Sequence, residues 1–173
     1  MQSADLFQEL LAMRESSPLF RLTTFGDVQD RVMFHNTGPA QLPGLIVMSI
    51  SDLGGVDLDP HYKEMIVLVN ANDEAQSFSA SDVVGLDLAL HLVQVNSVDD
   101  TVKTSSFDPA SGTFVVPGRT TAVFVSYESP EDLIGDLKDQ IQELVDQGVI
   151  SFGHGQALTA KLNSALKHLE KGR

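Results

Sequence analysis

The chain has 173 residues, of which 42% are hydrophobic and 20% are charged, so it can bury the core of one domain and carry a small appendage. Its formal net charge of −13 disfavours binding to nucleic acid and to anionic lipid, because like charges repel. Cysteine is absent, which excludes disulfides, thiolate metal sites and cysteine nucleophiles.

The first predicted element is a helix over Ser3–Arg14. Its apolar residues recur at helical spacing and are Leu6, Phe7, Leu10, Leu11 and Met13. We expect Ser3 to cap the start of the helix and Ser17, followed by Pro18, to end it, because a residue before proline resists the α conformation. The apolar face is wider than a small domain can cover. Part of it should therefore be exposed or in contact with another surface.

From Leu19 to Tyr127 the sequence alternates between short β patterns and turns. The predicted strands are Leu19–Thr23, Met33–His35, Gly44–Ile50, Met65–Asn70, Ala75–Ser79, Leu88–Val95, a hairpin over Phe107–Val116, and Thr120–Val125. A short helix is predicted over Gly26–Val32. Roughly seven or eight strands at this spacing indicate an antiparallel β-sandwich over residues 18–128, preceded by the helix of residues 1–17.

Residues 129–173 have the pattern of an αα-hairpin. Ser129 and Pro130 begin the first helix, Gly148 caps its end, and the second helix starts at about Gly155 after a turn at His154. The expected seam consists of Leu137, Ile141, Leu144, Leu158, Leu162 and Leu166. We expect this hairpin to dock as a unit and to melt separately from the sandwich.

Carboxylates are numerous in the β part and are Asp52, Asp57, Asp59, Glu64, Asp73, Glu74, Asp82, Asp87, Asp99, Asp100 and Asp108. Nearly all lie in predicted turns, where aspartate bonds the local backbone, so a paired-acid glycosidase site is disfavoured. Asp52, Asp57 and Asp59 carry oxygen ligands suited to calcium, but their spacing is not that of an EF-hand. We therefore predict no catalytic, cofactor-binding or metal-binding residue in this chain.

The histidines and tyrosines point the same way. The five histidines are His35, His61, His91, His154 and His168, and no two have the spacing of a helical zinc site. His35 and His91 fall in predicted strands, as packed or edge residues. Sugar-binding sandwiches stack pyranose rings on exposed aromatics, whereas this chain has no tryptophan and only Tyr62 and Tyr127 as tyrosines.

Several long segments nevertheless resemble one family. They are Ser16–Leu22, Val32–Pro39, Gly44–Ile50, Ile66–Asp73, Gln94–Lys103 and Pro117–Val125. Together they are similar to the C-terminal region of bacterial pullulanases, which are α-1,6-glucosidases of the α-amylase superfamily. The resemblance covers residues 4–126. It implies an antiparallel β-sandwich that follows a (β/α)8 catalytic barrel, with the first helix similar to the last helix of that barrel.

The resemblance also implies what this chain lacks. In the family the catalytic acids and the segment YNWGYDP lie in the barrel, and neither occurs here, so no catalytic residue can be carried over. Beyond the sandwich, Val145–Ile150 and His154–Leu162 resemble short helical hairpins that close some bacterial extracellular proteins. Residues 1–11 have no signal-peptide pattern, and no apolar run of about 18 residues predicts a membrane span.

The expected function is that of a non-catalytic C-terminal domain of a starch-debranching hydrolase, inactive alone and stabilising an upstream barrel in the same polypeptide. Its expected contacts are that barrel, branched α-glucan and, through the exposed helix, a second copy, without nucleic acid, membrane or cofactor. The resemblance implies an extracellular or cell-surface location in bacteria. Two alternatives remain open, namely a free-standing carbohydrate-binding module and a protein-interaction module.

Overall fold

The computed structural model describes residues 2–171, which divide after Tyr127 into two compact units. The helices of the first unit are α1 (Gln2–Ser16), α2 (Phe25–Arg31) and α3 (Leu92–Val95). Its strands are β1 (Val32–Phe34), β2 (Leu45–Ser51), β3 (Tyr62–Asn70), β4 (Gln76–Ser79), β5 (Ala89–Leu90), β6 (Ser106–Asp108), β7 (Thr113–Val116) and β8 (Thr120–Tyr127). The second unit contains α4 (Pro130–Asp146) and α5 (Phe152–Lys171).

The strands of the first unit form two antiparallel sheets. The large sheet has the order β1-β2-β3-β8-β5, and the small sheet has the order β4-β7-β6. Apolar side chains from both sheets pack into one cluster, in which the rings of Phe114 and Phe124 lie 5.2 Å apart. The predicted antiparallel β-sandwich is therefore confirmed.

The large sheet is buried on both faces at its centre, which explains the continuous apolar runs of its inner strands. On β8, Ala122 and Phe124 point into the cluster between the sheets. Val123 and Val125 point to the opposite face, where they pack with Met13 of α1. This alternation follows from the two-residue period of a strand. As a result, α1 covers the part of the second face that contains Val123 and Val125.

Two predicted strands are wrong. Residues Pro18–Arg21 form a 3-10 helix, not a strand over Leu19–Thr23, because the Leu19 N–H donates to the Ser17 hydroxyl and proline suits the first helical position. Leu88–Val95 becomes the short strand β5 followed by α3, since His91 lies outside any strand and its Nδ1 accepts the Val93 N–H at 3.2 Å. Side-chain caps outweigh β propensity at both places.

The start of α1 also differs from the prediction. The helix begins at Gln2, so Ser3 lies within it rather than at its cap. By contrast, α2 agrees with the predicted helix, and the Thr24 hydroxyl accepts the Asp27 N–H at 3.1 Å as its N-terminal cap.

In the second unit, α4 ends as predicted. Gly148 has φ +72°, and the N–H of Val149 reaches back to the Leu144 carbonyl at 2.9 Å. The predicted turn at 153–155 is wrong, because α5 already begins at Phe152. Gly155 is buried within the helix, and a Cβ added there would lie 2.4 Å from Val145 Cγ2. Gly155 therefore lets the two helices approach closely and does not form a turn.

The hairpin seam agrees only in part with the prediction. Ile141 is buried, and Leu162 and Leu166 are half-buried. Leu137, Leu144 and Leu158 remain 39–46% exposed instead of being enclosed. Among residues 2–171, none of the helices has the length and apolar character needed to cross a membrane.

Candidate functional site

One face of α1 is fixed to the rest of the first unit by polar bonds. Glu9 Oε2 accepts a 2.6 Å bond from the Ser97 hydroxyl, and Glu9 Oε1 accepts the Val98 N–H at 2.8 Å. At the end of the helix, Ser16 Oγ lies 2.7 Å from the Met13 carbonyl and 3.1 Å from His91 Nε2. These bonds set the rotation of α1 about its axis.

The opposite face of α1 is apolar and exposed. Phe7 is 61% exposed and Leu10 is 50% exposed, and Leu11 is exposed as well. Leu6 is half-buried, and Met13 alone among the five apolar positions is fully buried. The sequence-based prediction that this face is too wide to be covered is confirmed.

The large sheet continues this apolar surface beyond α1. In its register, Val69 of β3 lies opposite Ile46 of β2 on one side and opposite Thr121 of β8 on the other. Residues opposite each other in antiparallel strands point to the same face. Val69, Ile46 and Thr121 therefore lie on the same face of the sheet as Val123 and Val125, which Met13 of α1 covers. On the part of this face that α1 does not cover, Ile46 is 52% exposed and Phe34 of β1 is 56% exposed.

Two shallow grooves lie along this exposed face of the large sheet. One, of about 350 Å³, is lined by Phe34, Ile46 and Val69 together with Leu42. The other, of about 220 Å³, lies where Leu10 of α1 approaches Thr121, and its lining also includes the charged Asp99 and Arg119. Because Val69 and Thr121 are paired, the two grooves adjoin, and we call the surface formed by Phe7, Leu10, Thr121, Val69, Ile46 and Phe34 the apolar face.

The acids considered for calcium instead hold the loop after β2 in place. Asp52 forms an ion pair with the buried Arg31, and its Oδ2 accepts the N–H groups of Leu58 at 2.9 Å and Asp59 at 2.7 Å. Asp59 is buried, accepts the Ser17 hydroxyl and bonds the His61 N–H at 2.9 Å. In residues 2–171 no group of three His, Asp or Glu side chains is arranged to hold a metal ion.

Other aspartates have the predicted turn role. Asp99 accepts the Thr101 N–H at 2.9 Å, and Asp108 accepts the Ala110 N–H at 3.1 Å. These are Asx-type bonds two residues along the chain, and they organise the backbone locally. The position of an aspartate in a turn thus accounts for its contacts here without a substrate.

The structure brings three of the candidate residues together at one edge of the sandwich. His35 Nδ1 lies 3.5 Å from Asp82 Oδ2, and His35 Nε2 lies 2.8 Å from the Ser49 hydroxyl. Burial, reinforced by the charge of Asp82, raises the pKa of the Glu64 carboxyl above its usual value. Sequence spacing could not have shown this cluster, because its members come from separate strands and loops.

His91 is the polar centre of the α1 junction. It is buried, its ring lies 6.0 Å from that of Tyr62, and its burial lowers the pKa of the imidazole below the usual value. Since Nδ1 accepts the Val93 N–H, the neutral ring carries its proton on Nε2 and donates it to Ser16 Oγ. This bonding fits a structural group that joins α1 to α3.

Gln94 is a further residue that sequence reasoning did not single out. Its side-chain Oε1 accepts the Val123 N–H and its Nε2 donates to the Thr121 carbonyl, both at 2.7 Å. The amide thereby continues the bonding of β8 where β5 has ended, and it keeps Thr121 in register for the apolar face. A single glutamine in an apolar segment was the available signal.

Comparison with known proteins agrees with this architecture. A family model described as "Alpha-1,6-glucosidases, pullulanase-type, C-terminal" matches residues 1–127. The chain is 48% identical over 124 residues to "Pullulanase 1, chloroplastic" of Arabidopsis thaliana, covering 69% of this chain and 13% of that protein. It is 33% identical over 124 residues to "Pullulanase" of Klebsiella pneumoniae, covering 70% of this chain and 11% of that protein.

Solved structures give the same result. The crystal structure of PulA from Klebsiella oxytoca superimposes with a TM-score of 0.65 at 32% identity, covering 74% of this chain and 12% of that one. A maltotriose complex of PulA from Klebsiella pneumoniae has a TM-score of 0.63 at 33% identity, covering 71% and 13%. The chain thus spans about an eighth of the relatives it matches, and it belongs to the pullulanase-type α-1,6-glucosidase C-terminal family.

Proposed function

We propose that this chain is the non-catalytic C-terminal domain of a starch-debranching enzyme and that it stabilises a catalytic barrel upstream in the same polypeptide. The observation that carries the proposal is the apolar face. This surface runs from the exposed side of α1, across the paired residues Val69 and Thr121, to the exposed Ile46 and Phe34 on the outer strands of the large sheet. Apolar surface of this extent, placed around the first helix of the chain, suits a large neighbouring domain.

The anchoring of α1 supports this assignment. Glu9 and His91 hold the helix so that Phe7 is exposed to solvent and Leu10 is exposed at the groove beside Thr121. A helix that only covered the sandwich would bury its largest apolar side chains there. The match to a C-terminal family, over about an eighth of each relative, leaves ample chain in those proteins for the neighbour.

The chain by itself is expected to hydrolyse neither pullulan nor starch. Asp52 and Asp59 are engaged by Arg31, Ser17 and backbone N–H groups, and glycoside hydrolysis needs two acids facing a bound sugar. A reducing-sugar assay on the purified chain tests this. Release of sugar that one substitution within residues 2–171 abolishes would refute the non-catalytic assignment.

The stabilising role is tested in the longer polypeptide that also contains the upstream domain. Leu10→Glu places a charge in the apolar face, and Val84→Glu, at an exposed position beside Gly112 between β6 and β7, is the matched control. Leu10→Glu should lower the temperature at which debranching activity is lost, because a buried charge destabilises the contact between the domains. Equal inactivation temperatures for both variants would contradict the proposal.

For the sequence-based alternative of a carbohydrate-binding module, the two tyrosines supply one exposed ring. Tyr62 is buried, whereas Tyr127 beside it is 41% exposed, with ring centroids 5.3 Å apart. A single ring face offers little stacking area for a glucan chain. Native electrophoresis through a gel containing branched α-glucan tests the alternative, and strong retardation that Tyr127→Ala removes would favour it over the docking role.

We further propose an extracellular or cell-surface location for the bacterial polypeptide. The support is the likeness of Val145–Ile150 and His154–Leu162 to the hairpins that close some bacterial extracellular proteins. Fractionation of cells that produce the natural full-length polypeptide tests it. Activity confined to the soluble fraction of lysed cells would contradict this location.

A further inference from the structure

The second unit leaves a row of leucines outside its own helix contact. Once Ile141 of α4 and Gly155 of α5 are buried in that contact, five leucines remain 37–46% exposed. They are Leu133, Leu137 and Leu144 on α4, and Leu158 and Leu169 on α5. Their spacing of four, seven and eleven residues places each set on one stripe of its helix.

The two stripes lie on the same side of the hairpin. At about 100° per residue, Leu144 is offset from Ile141 by about the same angle as Leu158 is from Gly155. In an antiparallel pair, equal offsets from the facing positions point to the same side. Gln142 and Gln156 have the opposite offset and line a groove of about 460 Å³ on the other side. The hairpin therefore has one side lined by leucines, the leucine face, and an opposite side that carries Gln142 and Gln156 together with the exposed Phe152.

The charges of the two helices are of opposite sign. In α4 there are six acidic residues and one lysine, whereas in α5 there are three lysines and one glutamate. Glu143 of α4 and Lys161 of α5 are both exposed, and each lies beside the leucine stripe of its own helix, at the edge of the leucine face. A twofold axis parallel to the helices sets each acidic α4 against the basic α5 of the partner, whereas an axis perpendicular to them would set the two acidic α4 helices against each other.

We infer that the leucine face binds the leucine face of a second copy of this chain, with α4 of each copy opposite α5 of the other. The β unit is a poorer partner for α4, because residues 1–128 contain 17 acidic and 6 basic residues. The family match ends at Tyr127, so the hairpin lies outside the part shared with the pullulanases.

The available area fits a weak dimer. A helix of 17 residues is about 26 Å long, and two adjacent helices are about 20 Å wide. The leucine face thus presents roughly 500 Å² per copy, or about 1,000 Å² for the pair, which is near the lower limit for a specific interface. We expect reversible association in the micromolar range.

Sedimentation velocity of the full chain across a concentration series tests the inference. The wild type should shift from monomer to dimer as concentration rises. Leu144→Glu should raise the dimer dissociation constant at least about tenfold, whereas the matched control Gln142→Glu, on the side of α4 opposite the leucine face, should leave it unchanged. Leu10→Glu should also leave it unchanged, because it alters the apolar face of the first unit.

Charge reversal tests the arrangement without disturbing the leucines. Glu143→Lys and Lys161→Glu should each weaken the dimer, because each reduces the attraction between α4 of one copy and α5 of the other. Far-UV circular dichroism checks that every variant keeps its helices. A monomer at all concentrations, a dimer indifferent to Leu144→Glu, or a dimer strengthened by either charge reversal would overturn the inference.

Discussion

Glu9 of α1 and Ser97, just after α3, lie 88 positions apart in the sequence and are joined by a 2.6 Å hydrogen bond from the serine hydroxyl to the carboxylate. The same carboxylate accepts the Val98 N–H, so one glutamate connects the first helix to the loop that follows α3. The bond fixes the rotation of α1 that leaves Phe7 and Leu10 exposed. The orientation of the apolar face therefore depends on a polar contact.

Glu9→Ala should loosen α1. Removing the carboxylate leaves the Ser97 hydroxyl and the Val98 N–H without this acceptor, at a cost of about 1–3 kcal/mol. Urea unfolding gives the loss of stability, and hydrogen exchange should show faster exchange within α1. Glu15→Ala, at an exposed position of the same helix, is the control. Equal exchange in the two variants would show that Glu9 does not anchor the helix.

The aromatic cluster between the sheets should be the most sensitive part of the core. Phe124 is almost fully buried, and its ring contacts those of Phe107 and Phe114. Phe124→Ala should cost about 3–5 kcal/mol through lost burial and a cavity. Phe25→Ala, at a residue 77% exposed, should cost under about 0.5 kcal/mol. Similar midpoints of urea unfolding for both variants would contradict the assigned core.

Stability should fall as the pH drops below 6.5, because of His91. Its folded pKa is lower than the 6.5 of a free imidazole, so the unfolded chain binds its proton first. Protonation of Nδ1 would also break the bond from the Val93 N–H. Urea unfolding between pH 8 and pH 5 measures the effect, which His91→Gln should reduce and exposed His61→Gln should not. An NMR titration of His91 with a midpoint above 6.5 would disprove the sign.

Glu64 should act with the opposite sign. Its folded pKa is raised above 4.5, so the ionised carboxylate destabilises the fold at neutral pH, and this cost disappears as the pH falls below 4.5. Glu64→Gln should therefore raise the melting temperature at pH 7 and give little difference at pH 4. Glu74→Gln, at an exposed carboxylate, is the control. A lower melting temperature for Glu64→Gln at pH 7 would contradict the burial of a charge there.

The inner strands could be predicted because both of their faces are buried. Gly44–Ile50 and Met65–Asn70 are continuous apolar runs, and β2 and β3 are inner strands of the large sheet. Leu19–Thr23 and Leu88–Val95 have similar composition, yet Ser17 and His91 bond the adjacent backbone and convert both into short helices. Such caps depend on geometry that apolar periodicity does not encode.

The candidate surface divides in the same way. The exposed side of α1 followed from the angular width of its apolar residues, of which Phe7 and Leu10 are the most exposed. The part of the apolar face on the large sheet could not be predicted in this way, because it depends on the strand register that places Val69 between Ile46 and Thr121. Pairing across three strands is a tertiary property, and single strand patterns carry no record of it.

Hydroxyl-radical footprinting of side chains tests the docking role most directly, by comparing residues 1–173 alone with the full-length polypeptide. Phe7, Leu10 and Phe34 should be oxidised readily in the chain alone, in keeping with their exposure of 50–61%, and should be protected severalfold in the full-length protein. Val84, outside the apolar face, should react equally in both. Unchanged oxidation of Phe7, Leu10 and Phe34 would contradict the proposal that this domain supports an upstream barrel through its apolar face.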